Sequence, residues 1–404
     1  MSQVSTAYVA RQPILDQHLD VAFYELLHRS EASLETAQVV NQELATSELL
    51  VNSLIEIGLE RIVGQQRAFI NLSREHVVGD WPLPLDPKRF GLELLENEQV
   101  DQVLIDALRE RREQGFLVVL DDFVYEHEWD PMLHIAHIVK LDVAALGEEG
   151  IRDQHRLLRR YPLRLLAEKV ETAEEFELCR LLGFDYFQGY FFARPELFSA
   201  TGLRASQTTT LQLLSEVQDP DISLDRLEEI LAQDVALSYK LLRYINSAFF
   251  NLPREFKTIR QALVYLGLGP LRVWVSLMIV VDVEDRPHAL KQLALTRAKF
   301  CQCLAERMGR EDTGPYFTAG LFSTLDALLG MPMDEVLHQL PLDGETKAAL
   351  MTRSGPVGSV LRFAIEHERG QWEQGDKLPL SAQEVNEAYA EAVSWSEELL
   401  KLVR

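Results

Sequence analysis

Eight short β-rich runs occupy the first 200 residues, most of them separated by stretches with helical periodicity. They are YVARQPIL, VAFYELL, RAFINL, RFGLELL, FLVVLDD, AHIVKLD, LRLLAEK and DYFQGYFF. Between them lie amphipathic segments such as VDQVLIDALRERREQG and TAEEFELCRLLG. The second opens with Thr172 and carries Glu175 three residues on, the capping-box signature of a helix start. Repeated strand–helix units imply parallel strands joined by crossover helices. Eight strands in 200 residues fit a compact (β/α) barrel better than an open sheet.

The texture changes after ARPELFSATGLRASQ. From Thr208 onward almost no period-2 alternation remains, and apolar residues recur at helical spacing in LDRLEEILAQDVALSYKLLRYI and IRQALVYLGLGPLRVWVSLMIVV. Thr258 with Gln261, and Ser381 with Glu384, are further capping-box pairs. A length of 404 residues accommodates two or three domains. The expected organisation is a barrel over 1–197, a linker over 198–207 and an all-helical domain over 208–404.

Polar residues recur in or just after the apolar strand runs. Glu25 lies in VAFYELL, Asn71 ends RAFIN, and Glu93 lies in FGLELL. Asp121 and Asp122 end FLVVLDD, Lys140 and Asp142 end HIVKLD, Glu168 ends LRLLAE, and Gln188 follows DYF. The gaps from Glu25 through Asn71, Glu93, Asp121, Lys140 and Glu168 to Gln188 are 46, 22, 28, 19, 28 and 20 residues, mostly one βα unit each. The C-terminal strand ends of such a barrel face one mouth, where active sites sit. Five carboxylates there (Glu25, Glu93, Asp121, Asp122, Glu168) repel one another. Either some of their pKa values rise or divalent cations occupy the site. An oxygen-rich set with one Asn and no Cys suits Mg²⁺ or Mn²⁺. Two such cations bridged by an aspartate are one solution for phosphodiester cleavage.

These residues resemble the EAL domain, the cyclic-di-GMP phosphodiesterase fold of bacterial signalling proteins. Glu25-Leu26-Leu27 with Arg29 stands where the Glu-Ala-Leu-x-Arg motif belongs. INLS (70–73), ELLE (93–96), DDF (121–123), KLD (140–142), AEKVE (167–171) and QGYFFARP (188–195) follow in the family's order. The resemblance implies metal ligation by Glu25, Asn71, Glu93, Asp121 and Asp122. It further implies that Glu168, near Lys140, activates the attacking water, that Arg29 holds a ligand phosphate, and that Gln188 supports the site. Two departures stand out. The loop Val124–Pro131 has no glycine where active relatives carry a Gly- and Ser-rich one, and β-branched Val124 reaches φ > 0 only at a cost. Lys169 stands where the family usually has Gly.

The second half resembles the HDOD domain, a relative of metal phosphohydrolases of the His-Asp type. The matching stretches are ILAQDVALSYKLLRYINSAFF, TIRQALVYLGLGPLRVW and FTAGLFSTLDALLG. Ser323 and Thr324 stand where the catalytic relatives have their His-Asp pair, which implies a non-catalytic regulatory or protein-binding module. The expected protein is thus a signalling molecule that binds cyclic-di-GMP at a divalent-metal site, coupled to an HDOD domain with an unidentified protein partner. A homodimer is expected from the family's loop contacts. The intact ligand set points to hydrolysis to linear pGpG. The altered loop points to the alternative, a barrel without turnover that acts as a nucleotide sensor or an interaction scaffold.

Composition excludes several other classes. The chain has 40 Lys and Arg against 63 Asp and Glu, a net charge of −23, which argues against a duplex nucleic-acid binder. Three cysteines (Cys179, Cys301, Cys303) are too few for a disulfide scaffold. The N-terminus lacks a signal-peptide pattern, and the longest apolar stretch, Val273 to Val281, is nine residues where a membrane span needs about 20. A cytoplasmic location is the resulting expectation. His134 and His137, spaced i, i+3 without companion ligands, do not read as a zinc site, and Cys301, Cys303 and Trp274 read as packing residues.

Overall fold

A computed structural model describes residues 7–30, 62–64, 66–79, 85–95, 100–193, 205–233, 256, 258–281, 283, 286–372 and 378–403. All eight expected strands form: β1 (Ala7–Asp16), β2 (Val21–Ser30), β3 (Arg67–Asn71), β4 (Phe90–Leu95), β5 (Leu117–Asp121), β6 (Ile138–Asp142), β7 (Arg164–Glu168) and β8 (Tyr186–Gln188). They close into a barrel in chain order, with β8 beside β1. Strands β2 to β8 run parallel, as the strand–helix alternation predicts. Strand β1 does not: it is antiparallel to both β2 and β8. The reason is local. Only residues 17–20 join β1 to β2, enough for a hairpin but not for a crossover of a dozen or more residues. Asp16 Oδ1 accepts from the backbone N–H groups of His18 (2.8 Å) and Asp20 (3.0 Å) and so closes this turn.

The barrel interior is built in layers, because residues two apart on a strand face the same side. Ile14, Phe69, Val119, Ile138, Leu166 and Tyr186 form one buried apolar cluster. Five of these lie two residues before Gln188, Asn71, Asp121, Lys140 or Glu168. Phe23, two before Glu25, stacks on Phe69 at 4.8 Å. Gly91, two before Glu93, leaves room for the Phe69 ring, whose Cδ1 would lie 2.6 Å from any added Cβ. The polar strand ends therefore rest on a solid apolar floor.

The chain divides into two compact units. The barrel unit takes in residues 1–192 together with 367–374 and 381–387. Strand β8 pairs with β1 only at Ile14, Leu15 and Asp16. Further along β1, side chains take the place of a neighbouring strand: Val9 N–H donates to Asn386 Oδ1 (3.0 Å), and His367 Nε2–H donates to Val9 O (3.1 Å). Trp372 Nε1–H donates to His367 Nδ1 (3.0 Å), which places the imidazole proton on Nε2.

The other unit, 193–366 with 375–380 and 388–404, is helical throughout its described residues, as expected. Its central helix His288–Arg307 is buried on nearly all sides, so Cys301 and Cys303 are both buried although they lie on different faces. Trp274 packs its ring against Phe317 and Trp395, about 6 Å away. All three expected capping pairs form, with Glu175 N–H on Thr172 Oγ1 (3.2 Å), Gln261 N–H on Thr258 Oγ1 (3.2 Å) and Glu384 N–H on Ser381 Oγ (3.3 Å). No helix among the described residues is long and apolar enough to cross a membrane.

Candidate active site at the strand ends of the barrel

Above the apolar floor, the strand-end polar residues converge on one ammonium group. Lys140 Nζ lies 2.7 Å from Asp121, 2.9 Å from Glu168, 3.2 Å from Glu93 and 3.3 Å from Glu25. Register explains the meeting. Asn71 is paired with Glu93 across β3 and β4, Gln12 with Glu25 across β1 and β2, and Ile14 with Gln188 across β1 and β8. Gln188 Nε2–H donates to Glu25 Oε2 (2.5 Å) and Gln12 Oε1 (3.2 Å), and Asn71 Nδ2–H donates to Glu25 Oε1 (3.4 Å). Glu25, Glu93, Asp121, Lys140, Glu168 and Gln188 are all buried.

Four carboxylates around one ammonium leave an excess of negative charge in a place that water does not screen. Burial pushes the carboxyl groups of Glu93 and Asp121 up, with Lys140 opposing and the neighbouring carboxylates adding to the rise. Glu168 is pushed up to about 8 by burial, again with Lys140 opposing and Asp121 and Glu25 reinforcing. Burial works against the Lys140 ammonium, but the carboxylates outweigh it and hold its pKa well above the ordinary lysine value. Protons or a cation must supply the missing positive charge.

The donor set fits a divalent cation. Carboxylate oxygens of Glu25, Glu93 and Asp121 all lie within 4.8 Å of one another. Glu93 Oε2 and Asn71 Oδ1 are buried with no hydrogen-bond partner, an arrangement that costs free energy unless something else takes those lone pairs. Oxygen donors of this kind suit a hard cation. Among the described residues this is the one such group, and His134 and His137 take no part in it. His137 Nδ1 accepts from Val118 N–H (3.0 Å), and His134 packs against the Tyr161 ring.

Asp122 is not one of the three carboxylates that meet in this group. It adopts φ 44°, and its Oδ1 accepts from Lys169 Nζ at 3.0 Å, while its charge still adds to the rise of the Asp121 carboxyl. No residue of the loop 124–131 has positive φ, so Val124 is not asked to adopt the conformation that glycine would permit. The loop is ordered by other means. Asp130 accepts from Tyr161 Oη (2.6 Å) and Tyr125 Oη (2.9 Å), and buried Trp129 meets Phe123 edge to face. Arg29 lies within β2, and its side chain is outside the described residues. Gln12 is not among the residues singled out in the sequence, where Asp142 appears only as a strand-end polar residue and Lys169 only as a departure from the family's glycine. Gln12 could have been found from period 2 along β1, because it shares a face with Ile14, but nothing local marks Lys169 as a partner of Asp122.

In the helical unit the hydroxyls of Ser323 and Thr324 are engaged in local hydrogen bonds. Ser323 Oγ donates to Gly320 O (2.7 Å) and accepts from Arg297 (2.9 Å), and Thr324 Oγ1 donates to Leu321 O (3.4 Å).

Comparison with known proteins places both halves. The family model for the EAL domain matches residues 8–195, and that for the HDOD domain matches residues 203–335. The chain is 36% identical over 409 residues to the cyclic di-GMP phosphodiesterase CdgJ of Vibrio cholerae serotype O1, covering 98% of this chain and 94% of that one. It is 30% identical to the YuxH protein of Bacillus subtilis, covering 97% of this chain and 98% of that one. Among solved structures, Bacillus subtilis YkuI, a protein with an EAL domain in complex with c-di-GMP and calcium, matches with a TM-score of 0.39 and 19% identity over 57% of this chain and 73% of that one. The chain belongs to the family of two-domain proteins that join an EAL domain to an HDOD domain.

Proposed function

We propose that the barrel binds cyclic-di-GMP and hydrolyses it to linear pGpG in a reaction dependent on Mg²⁺ or Mn²⁺. The observation that carries this reading is the buried carboxylate group of Glu25, Glu93 and Asp121, with unpartnered oxygens on Glu93 and Asn71 beside it. The relative with 36% identity along nearly the whole chain is named a phosphodiesterase of that nucleotide, which supports the same substrate.

Glu25, Asn71, Glu93 and Asp121 would hold the cation. When bound, it would polarise a phosphate oxygen and lower the pKa of a bound water. Glu168 takes the proton of the attacking water. Its carboxyl, raised to about 8 by burial, becomes the carboxylate this role needs as positive charge enters the cluster. Lys140 positions Glu168 at 2.9 Å and Asp121 at 2.7 Å, and Gln188 orients Glu25. Arg29 holds a substrate phosphate through charge-assisted hydrogen bonds.

The HDOD domain serves as a protein-binding module for a partner not yet identified, and the molecule works as a cytoplasmic homodimer. The fixed hydroxyls of Ser323 and Thr324 support a binding rather than a catalytic role. The test is chromatographic detection of pGpG from cyclic-di-GMP with Mn²⁺, with Mg²⁺ and with EDTA. Wild type should form pGpG only with metal, and Glu168→Gln should lose about 10²-fold or more. Metal-independent turnover, or an unaffected Glu168→Gln, would refute the assignment.

A further inference from the structure

Asp121 and Asp122 are adjacent in the chain but serve different cations. Asp121 joins the buried group with Glu25 and Glu93, whereas Asp122 meets the ammonium of Lys169. That ammonium is shared. Lys169 Nζ lies 3.0 Å from Asp122 Oδ1 and 2.6 Å from Asp142 Oδ2. Asp142 is itself fixed, because its Oδ1 accepts from Ala145 N–H (2.8 Å) and caps the helix Val143–Leu158. One ammonium thus ties together the turns that follow β5, β6 and β7.

The backbone is shaped for this bridge. Asp122 (φ 44°) and Lys169 (φ 55°) both sit in the left-handed region, where a residue with a side chain is strained. Such strain persists only where the surrounding structure over-determines it, and it concentrates at functional sites. Here the two strained residues are those whose side chains meet.

We propose that Lys169 is a built-in cation at Asp122 and Asp142, so that the barrel takes one divalent cation, at Glu25, Glu93 and Asp121, and no second at Asp122. A second ion would have to displace an ammonium held by two carboxylates. With two of its three N–H donors engaged, the half-exposed Lys169 keeps one for an anionic oxygen of the substrate. This inference rests on the metal-dependent reading of the site and replaces the two-cation expectation with one cation and one lysine.

The test is calorimetric titration of EDTA-treated, dialysed full-length protein with Mn²⁺, with electron paramagnetic resonance of the bound ion. Wild type should take up about one Mn²⁺ per chain and show no Mn–Mn coupling. Lys169→Gly, which also relieves the left-handed strain, and Lys169→Met should each take up a second Mn²⁺ and show the coupling. Two ions of similar affinity in wild type would overturn the inference while leaving the metal-dependent reading intact. Variants that stay at one ion would do the same. No Mn²⁺ uptake by wild type would overturn both. Should Lys169→Gly fail to fold, the wild-type stoichiometry and Lys169→Met decide the question.

Discussion

Replacing Lys140 by Met removes the cation at the centre of the carboxylate cluster while keeping the bulk of the side chain. In wild type the ammonium is 1% exposed and lies within 3.3 Å of four carboxylates. Removing one partner of a buried ion pair costs about 3–5 kcal/mol, because the charge left behind is neither solvated nor compensated. For a unit of this size each kcal/mol lowers the melting temperature by about 2–4 °C, so the loss in EDTA should be about 6–20 °C. Protonation of the raised carboxyls, Glu168 with a pKa of about 8 among them, keeps the loss toward the lower end at neutral pH. Adding Mn²⁺ at about 100 times its dissociation constant stabilises by about 2.7 kcal/mol. The gain should be larger in Lys140→Met than in wild type, because the ion then supplies charge that the variant lacks. Differential scanning calorimetry in EDTA and in Mn²⁺ measures both effects. A variant that melts within about 2 °C of wild type in EDTA would refute the claim that Lys140 balances the cluster.

Three further outcomes are expected. His367 is fully buried with its pKa lowered to about 3 by burial, so the folded state binds its proton more weakly than the unfolded chain does. Its contribution is present above the ordinary histidine pKa of about 6.5 and is lost at about 1.4 kcal/mol per pH unit as pH falls toward 3; urea midpoints from pH 7 to 5 should fall less steeply in His367→Gln, and equal slopes would count against it. In the helical unit, Gly320→Ala would put a Cβ 2.6 Å from Ala298 Cα and 2.7 Å from Arg297 O, so it should lose about 1–3 kcal/mol or more in denaturant titration. Arg29→Ala should weaken cyclic-di-GMP binding by about 1.5–3 kcal/mol, roughly 10- to 150-fold, in a calorimetric titration with Ca²⁺ in place of Mg²⁺.

The strands, the helix starts at Thr172, Thr258 and Ser381, and the polar strand ends were legible in the sequence, because period-2 alternation and capping depend on residues two or three apart. The same periodicity put Asn71, Asp121, Lys140, Glu168 and Gln188 two residues beyond a buried apolar layer, and parallel register in the barrel carried them to one mouth. That Ser323 and Thr324 stand where a His-Asp pair would be expected was likewise an implication of the sequence resemblance alone. Pairing across the chain was not legible. Strand β1 runs antiparallel because a four-residue hairpin, and not a helix, follows it. Its Val9 is bonded by His367 and Asn386, more than 350 residues away. Asp122 read as one more carboxylate of the cluster, but a left-handed turn directs it to Lys169. Local pattern determines which face a side chain occupies. Only closure of the barrel, and backbone angles such as those at Asp122 and Lys169, decide which charge it meets, because electrostatic partnership depends on distance in space and not on distance along the chain.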